Sequence, residues 1–329
     1  MMLRASRSLL SLFVPVALAL SACSAEDSQS GLPAEQADEA QPSDPEIEEI
    51  GEFVDANEGD VVEVEDGISV RVPPPGNLVA IEVIYDDGNT AVATLVNDAE
   101  RGVFLVHPDE HLLGLPEGTL AACATKCNEN AFSHLYGGDR AKWKSRLDWS
   151  YRHNNSPIGK NNAINAFKHA ALAIPKQRNT CDLADQSSAT QRYLGETTRA
   201  PNIIKSGSQI SCGEPDGYNV IGWGAIAGGT LAVTCTFATS DGTNTYRIVE
   251  ADQRYDNSNR SWFAGNTPPN SCNNRFSLRG VATHEFGHAY GLGHTPTQCN
   301  QVMAPSVSDC TSKNRKLGRG DVRGVRNLY

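Results

Sequence analysis

The 329-residue sequence lacks several features that would place it in a common class of proteins. No apolar run reaches the roughly 18–20 residues that a membrane span requires, which excludes a multi-pass membrane protein. It contains no internal repeat, and no broad basic surface is implied, which excludes a dedicated nucleic-acid binder. With 39% hydrophobic and 20% charged residues, the chain can bury a core, so wholesale disorder is also excluded.

Basic residues are missing from one long segment. Residues 24–70 contain sixteen acidic residues and no Lys or Arg, whereas residues 71–329 contain 26 basic and 23 acidic residues. The net charge of −11 therefore belongs to the N-terminal tail, and the rest of the chain is nearly neutral. Because residues 23–66 have few large apolar side chains, we expect an acidic, disordered tether there. Calcium binding by this acidic run is an alternative.

The N-terminus has the features of an export signal. Arg4 and Arg7 precede an apolar stretch over residues 9–20, which predicts a signal peptide over residues 1–22. The stretch ends in Leu-Ser-Ala-Cys, which resembles a bacterial lipobox whose last residue is Cys23. This resemblance implies lipidation of Cys23 and an exported lipoprotein on the outer membrane or cell surface, released if later processing removes its anchor. An ordinary signal peptide is the alternative.

Eight cysteines remain when Cys23 is set aside, and an even number in an exported chain predicts disulfides. They are Cys123, Cys127, Cys181, Cys212, Cys235, Cys272, Cys299 and Cys310. Eight cysteines allow 105 pairings, so the sequence does not determine the connectivity. We predict only one pair, Cys299 with Cys310, because these residues bracket a short loop. A zinc knuckle at Cys123 and Cys127 is an alternative to two disulfide halves.

Residues 67–140 form a predicted small β-rich region, with a pro- or accessory role. Alternating apolar residues and an Asp87-Gly88 turn predict strands over residues 68–72, 79–85, 90–96 and 103–106. Residues 118–135 are predicted to be helical.

Residues 141–329 have the pattern of a larger α+β domain. Apolar spacing predicts a helix over residues 161–174, which Pro175 ends. Strands are predicted over residues 147–151, 219–223, 231–238 and 245–255.

The sequence from His284 to His294 has the pattern HExxHxxGxxH. On a helix, His284 and His288 lie one turn apart on one face, so both imidazoles can reach one metal ion at about 2.0–2.1 Å. Gly291 can adopt a positive φ at the helix end and turn the chain, which brings His294 back as a third ligand. Three His ligands leave a fourth position for water, as in catalytic zinc sites.

Glu285 is displaced about 100° around the helix from His284, so it flanks the metal without being a ligand. There it can take a proton from a water in the fourth position. In a chain of this composition the whole pattern arises by chance with a probability on the order of 10⁻⁵. We therefore interpret it as a metal site rather than three unrelated histidines.

The motif resembles that of the metzincin clan of zinc endopeptidases. Metzincins have a Met-containing turn beneath the metal, and Gln301-Val302-Met303-Ala304-Pro305 is similar to it, with Met303 as a hydrophobic floor. Pro305 stands where astacin- and serralysin-type members have an additional Tyr ligand, so no fifth ligand is expected.

Within the clan, residues 141–329 resemble matrixins. Residues 228–232 are similar to the matrixin edge strand that pairs with substrate, which implies substrate contacts at Gly229 and Leu231. Residues 249–256 are similar to the next strand. Residues 317–329 are similar to the last helix, where the residue matching Asp321 ties the helix start to the Met-turn region.

The sequence also departs from the matrixin pattern. Val233 and Arg254 stand where two His ligands of a second, structural zinc are found in animal matrixins, so no structural zinc is expected. Structural calcium is common in the family, and Asp256 is a candidate ligand. The Pro-Arg-Cys-Gly switch of matrixin pro-peptides is absent, and gating of the zinc by Cys123 or Cys127 is an alternative.

Together these features predict a metzincin-like α+β catalytic domain with one catalytic zinc, acting as an endopeptidase on protein or peptide substrates. We expect a monomer that does not bind nucleic acid and is held at a membrane through Cys23. The alternatives are a non-catalytic zinc-binding surface lipoprotein and an amide hydrolase acting on a cell-wall peptide.

Overall fold

A computed structural model describes residues 3–4, 51–107, 125–136, 140–243, 245–295 and 300–329. Residues 5–50 lie outside the described residues, and so do Cys23, Cys123 and Cys299. The predicted lipidation site and nearly all of the predicted signal peptide are therefore not described. No helix in the described ranges is long and apolar enough to cross a membrane.

The described residues form seventeen strands and three helices. The first nine strands are β1 (Leu3–Arg4), β2 (Glu52–Val54), β3 (Val61–Glu65), β4 (Ile68–Arg71), β5 (Asn77–Tyr85), β6 (Thr90–Asp98), β7 (Gly102–Val106), β8 (Arg140–Lys142) and β9 (Leu147–Arg152). The others are β10 (Gln191–Glu196), β11 (Ile203–Ser206), β12 (Gln209–Cys212), β13 (Asn219–Gly224), β14 (Thr230–Thr243), β15 (Thr245–Asp256), β16 (Ser261–Phe263) and β17 (Arg275–Ser277). The helices are α1 (Lys160–Ala173), α2 (Leu278–Ala289) and α3 (Arg319–Leu328), and a 3₁₀ turn spans Lys313–Arg315.

Ten strands form one large mixed sheet, in agreement with the predicted α+β class. Its order is β10-β9-β13-β15-β14-β5-β6-β7-β2, and β8 also pairs with β15. The first four strands in this order run parallel, and from β14 onward each strand is antiparallel to its neighbour. The N-terminal strands β5, β6, β7 and β2 therefore extend the same sheet that contains the strands of the predicted catalytic domain.

The two faces of strand β5 pack into two different cores. Val79, Ile81 and Val83 belong to a core shared with the smaller sheet β1-β3-β4-β12-β11, which we call the sandwich core. Leu78, Ala80 and Ile84 belong to a second core that includes residues of α1 and α2, which we call the helix-side core. Successive side chains of a strand point to opposite faces. A strand that is covered on both faces therefore buries side chains on both, and these are mostly apolar.

Helix α1 confirms the helix predicted from apolar spacing. Its buried residues recur at intervals of three and four along one face: Ala163, Ala166, Phe167, Ala170, Ala171 and Ala173. The helix ends at Ala173, two residues before Pro175, because a proline restricts the residue before it to non-helical conformations. The helix packs against α2, so it supports the helix that carries the HExxH motif.

The structure differs from three predictions in the N-terminal half. Residues 61–65 form β3, with Val62 and Val64 buried, so the chain is ordered before the predicted tether boundary at residue 66. The alternating valines of β3 bury enough surface against the sandwich core to order this acidic segment. The β-rich region is not separate, because β5 to β7 join the large sheet. The described part of the predicted helix, residues 125–135, contains a turn and isolated bridges.

Three disulfides lie within the described residues. They link Cys127 with Cys181, Cys212 with Cys235, and Cys272 with Cys310. The predicted pairing of Cys299 with Cys310 is therefore wrong. The physical reason is that the loop before β17 brings Cys272 next to Cys310, with Cα atoms 5.6 Å apart, and short separation in sequence did not decide the pairing. Because Cys127 is bonded to Cys181, it is neither a zinc-knuckle ligand nor a thiol that gates the zinc.

Strand β15 buries two carboxyl groups that predict a pH dependence of stability. Burial raises the pKa of Asp252 to about 8 although its carboxylate accepts hydrogen bonds from the backbone N–H groups of Val220 and Asn202. Burial also raises the pKa of Glu250 to about 7. The folded chain therefore holds protons that the unfolded chain releases above about pH 4.

The free energy of unfolding is accordingly expected to fall between about pH 4 and pH 8, because these groups contribute full stability only below their unfolded pKa. Asp252→Asn should reduce this slope, measured by urea unfolding across the range. Asp148→Asn is the control, since side-chain hydrogen bonds with Arg146 and Arg192 lower the pKa of Asp148. An unchanged slope in Asp252→Asn would contradict the assignment.

Candidate metal centre

Helix α2 places the HExxH residues in the interior of the molecule. Ser277 caps the helix by accepting a hydrogen bond from the backbone N–H of Gly280, at 3.2 Å. Apart from Arg279, every residue of the helix is buried, as expected for a helix that is packed on all sides. His284 and His288 lie one turn apart, and their ring centroids are 4.7 Å apart.

The chain turns at Gly291 as the sequence predicts. Gly291 has a φ of 91°, and its backbone N–H donates to the carbonyl oxygen of His288 at 2.8 Å. A Cβ at this position would lie 2.3 Å from the carbonyl oxygen of Ala141, so both the conformation and the space require glycine. The turn brings His294 to the other two rings, with centroid distances of 5.2 Å to His284 and 4.9 Å to His288.

Backbone carbonyls orient two of the rings for metal binding. The Nδ1 of His284 lies 2.8 Å from the carbonyl oxygen of Val302, and the Nδ1 of His288 lies 2.8 Å from that of Leu292. Since a carbonyl only accepts, each Nδ1 carries the proton and each neutral ring presents its Nε2 lone pair. Burial is the main cause that holds the pKa of His288 well below its usual range, which keeps this ring neutral.

These residues fit a divalent metal ion. The Nε2 atoms of His284 and His288 face each other at 3.0 Å, an arrangement in which two lone pairs repel unless a cation lies between them. Ligands about 2.0–2.1 Å from a tetrahedral zinc are about 3.3 Å apart, close to this spacing. The nitrogen donors and the burial of all three rings are typical of a zinc site.

Glu285 lies beside the imidazoles and is fully buried. Its Oε2 accepts a hydrogen bond from the Thr234 hydroxyl of strand β14. Burial, and next the nearby charge of Glu82, raise the pKa of Glu285 well above its usual range. A carboxyl group in this environment binds a proton readily, which is the property that a general base needs.

Glu82 belongs to the same cluster, although the sequence pattern did not identify it as a site residue. One of its carboxylate oxygens and the imidazole nitrogens of His284, His288 and His294 all lie within 4.8 Å of one another. Glu82 is on strand β5, far from the motif in sequence. The available signal was one acidic residue in the otherwise apolar run Leu78 to Ile84.

Met303 packs against α2, and Asp321 holds the backbone around Met303. A Cβ on Gly287 would lie 2.2 Å from the Met303 sulfur, so the buried Met303 packs directly against the helix. The Asp321 carboxylate accepts hydrogen bonds from the backbone N–H groups of Val302, Met303 and Gly318. This contact confirms the predicted link between the start of α3 and the segment around Met303, and it positions the carbonyl that orients His284.

The predicted substrate strand is not at an edge of the sheet. Strand β14 pairs with β15 on one side and with β5 on the other, from Thr230 opposite Tyr85 to Thr239 opposite Asn77. Gly229 accepts a hydrogen bond at its carbonyl from the Asp86 N–H, and Leu231 is fully buried. The edge that the sequence predicted is covered because the N-terminal strands pair with it.

Comparisons with known proteins match the C-terminal part of the chain. Residues 225–329 match the family model for Matrixin. Human matrilysin is 42% identical over 49 residues, which are 15% of this chain and 18% of that protein. Metalloendoproteinase 1 of Glycine max is 38% identical over 69 residues, 21% of this chain and 22% of that protein. Human matrix metalloproteinase-20 is 35% identical over 101 residues, 31% of this chain and 17% of that protein.

The matched segments span only about a fifth of these relatives. The family match over residues 225–329 includes the HExxHxxGxxH motif, which runs from His284 to His294. Residues 225–329 of this chain are therefore similar to matrixins.

Proposed function

We propose that this protein is a zinc-dependent endopeptidase. The observation that carries the proposal is the convergence of the His284, His288 and His294 imidazoles beside the buried carboxyl group of Glu285. The match of residues 225–329 to matrixins supports the same function. Zinc, when bound to the three imidazoles, would polarise the scissile carbonyl and offset the negative charge that develops on its oxygen.

In this proposal Glu285 moves the proton. Its carboxylate accepts a proton from the attacking water and then delivers that proton to the leaving amine nitrogen. The hydrogen bond from Thr234 keeps one carboxylate oxygen in place, and the raised pKa favours the protonated form that must exist between the two transfers. Met303 would serve as the hydrophobic floor of the site.

The substrate would lie extended along strand β14, near Gly229 and Leu231, by strand addition. Backbone hydrogen bonds to β14 would then hold the peptide, and side-chain pockets would set the preference for sequence. This binding mode requires that β5 leave β14, since both edges of β14 are paired in the structure.

One observation favours a second candidate function. Glu82 completes a group of four buried potential ligands, and four protein ligands are typical of a structural zinc site. A non-catalytic zinc-binding surface protein is therefore the main alternative. An amide hydrolase acting on a cell-wall peptide would use the same residues as the endopeptidase.

Incubation with casein or gelatin tests these functions. The purified chain would be assayed before and after limited trypsin digestion, with and without a zinc chelator. We expect cleavage at internal peptide bonds that the chelator stops and added zinc restores. Zinc binding without cleavage in either preparation would favour the non-catalytic function, and cleavage restricted to peptidoglycan peptides would favour the amide hydrolase.

The remaining parts of the proposal concern the cell and other ions. We propose export through the signal at residues 1–22 and anchoring through lipidated Cys23, with a monomeric catalytic domain. A structural calcium site is a further proposal. Its candidate ligand Asp256 has a carboxylate that accepts hydrogen bonds from Ile226, Ser258 and Asn259.

A further inference from the structure

We propose that Glu82 is the fourth ligand of the metal, and that strand β5 thereby holds the site in a latent form. In this form β5 supplies a ligand to the metal and also covers the edge of β14 to which a substrate would bind. The inference rests on the proposed endopeptidase function, and activity requires that β5 be displaced.

The position of Glu82 in its strand is the first support. Leu78, Ala80 and Ile84 share its face of β5 and pack into the helix-side core. Glu82 is the only acidic residue of this strand and is 1% exposed. A buried carboxylate is costly unless a positive charge compensates it, so a metal cation bound beside Glu82 would stabilise this position.

The geometry at the imidazoles places Glu82 where it can bind the same metal cation as the three rings. Glu82 Oε1 lies 3.5 Å from the Nε2 of His284 and 3.9 Å from the Nε2 atoms of His288 and His294. An atom nearly equidistant from three imidazole nitrogens occupies the fourth corner of a tetrahedron around them. Zinc accepts a carboxylate oxygen at about 2.0–2.2 Å, and its two positive charges compensate the buried carboxylate.

The same carboxyl group lies where the reaction would occur. Glu82 is opposite Thr234 in the sheet, and Thr234 donates to Glu285. Glu82 therefore occupies the space beside Glu285 that the attacking water and the scissile carbonyl need.

Strand β5 also occupies the place of a substrate. It is paired with β14 over nine residue pairs, as a bound peptide would be in strand addition. Ile81 and Val83 anchor it in the sandwich core, and an ion pair of 2.7 Å joins Arg260 to Asp86 just after the strand. Because burial of these aliphatic side chains stabilises β5 in the sheet, the strand does not leave without cleavage or a competing partner.

Metal binding by the full chain tests the ligand assignment independently of activity. Cobalt(II) would be added to the wild type, Glu82→Ala and Glu82→Leu, and its visible absorption and affinity measured. Glu82→Leu fills the same apolar face and is expected to fold well. Thr94→Val is the matched control, because Thr94 is buried on the adjacent strand β6 and donates to the Leu135 carbonyl at 2.6 Å.

We expect both Glu82 variants to alter the cobalt spectrum and to lower the affinity by at least about 10-fold, a loss that even an outer-shell partner causes. Thr94→Val should keep the spectrum and affinity of the wild type. A wild-type spectrum and affinity in the Glu82 variants would overturn the proposal that Glu82 is a ligand.

The latency is tested on the wild type alone. The zinc-loaded full chain and the same protein after limited proteolysis of its N-terminal strands, identified by mass spectrometry, would be assayed with a quenched fluorescent peptide. We expect kcat/KM to rise more than about 10-fold, because the rate scales with the fraction of molecules in which β5 is displaced. An intact chain that cleaves as fast as the processed one would overturn latency and leave the proposed function standing. If Glu82 is a ligand and neither form cleaves, the endopeptidase function fails instead.

Discussion

Replacement of Glu285 by Gln is expected to leave one zinc per chain and to lower kcat/KM for a peptide by about 10²–10⁴. Gln has nearly the same shape and can still accept the hydrogen bond from Thr234, so the imidazoles remain in place. It cannot accept the proton of the attacking water, which is the step assigned to Glu285. The variant is also expected to be no less stable than the wild type, because it no longer buries a carboxyl group.

The measurement combines zinc content by mass spectrometry with peptide hydrolysis by the proteolytically processed protein. Glu250→Gln is the matched control, since Glu250 is also a buried glutamate but lies outside the metal-ligand cluster. The control should retain the wild-type rate. Full turnover in Glu285→Gln would remove Glu285 from the mechanism, whereas loss of zinc would show that it is structural at the metal.

Replacement of His288 by Ala is expected to lower the zinc affinity by more than about 100-fold, the most that loss of an outer-shell partner usually costs. The ring centroid of His288 lies 4.7 Å from that of His284 and 4.9 Å from that of His294, and the Leu292 carbonyl orients the ring. Its loss removes one of three nitrogen donors and leaves a cavity beside α2. A ligand that binds the folded state raises the melting temperature. Zinc should therefore raise the melting temperature of the wild type but not that of His288→Ala.

Competition with a chromophoric chelator measures the affinity, and calorimetry with and without zinc measures the linked stability. His169→Ala is the control, because His169 is exposed on α1 and shows no ligand spacing. The control should bind zinc like the wild type. An unchanged affinity in His288→Ala would contradict the assignment of the three imidazoles.

Local patterns predicted much of the fold and the centre of the site. The alternation of apolar residues predicted β5, β6, β9, β13, β14 and β15, because each side chain's face depends only on its place in the strand. The spacing of His284, His288 and His294 predicted their convergence, because a helix turn and a glycine at positive φ determine it. These features need no knowledge of distant parts of the chain.

These patterns do not predict which strands pair with each other in a sheet. Whether β14 is an edge or pairs with β5 depends on contacts between segments about 150 residues apart, which period-two alternation does not encode. The same limit explains the missed pairing of Cys272 with Cys310. Glu82 was hidden for a related reason: its acidic side chain marked an interruption in an apolar strand, but only the sheet order brought it to the imidazoles.

Anomalous diffraction at the zinc absorption edge from crystals of the zinc-loaded full chain tests the central claim most directly. The claim predicts one strong peak within about 2.0–2.1 Å of the Nε2 atoms of His284, His288 and His294. The carboxylate of Glu285 should lie beside the ion without coordinating it. A zinc ion elsewhere in the molecule, or rings that point away from one another around no ion, would contradict the account.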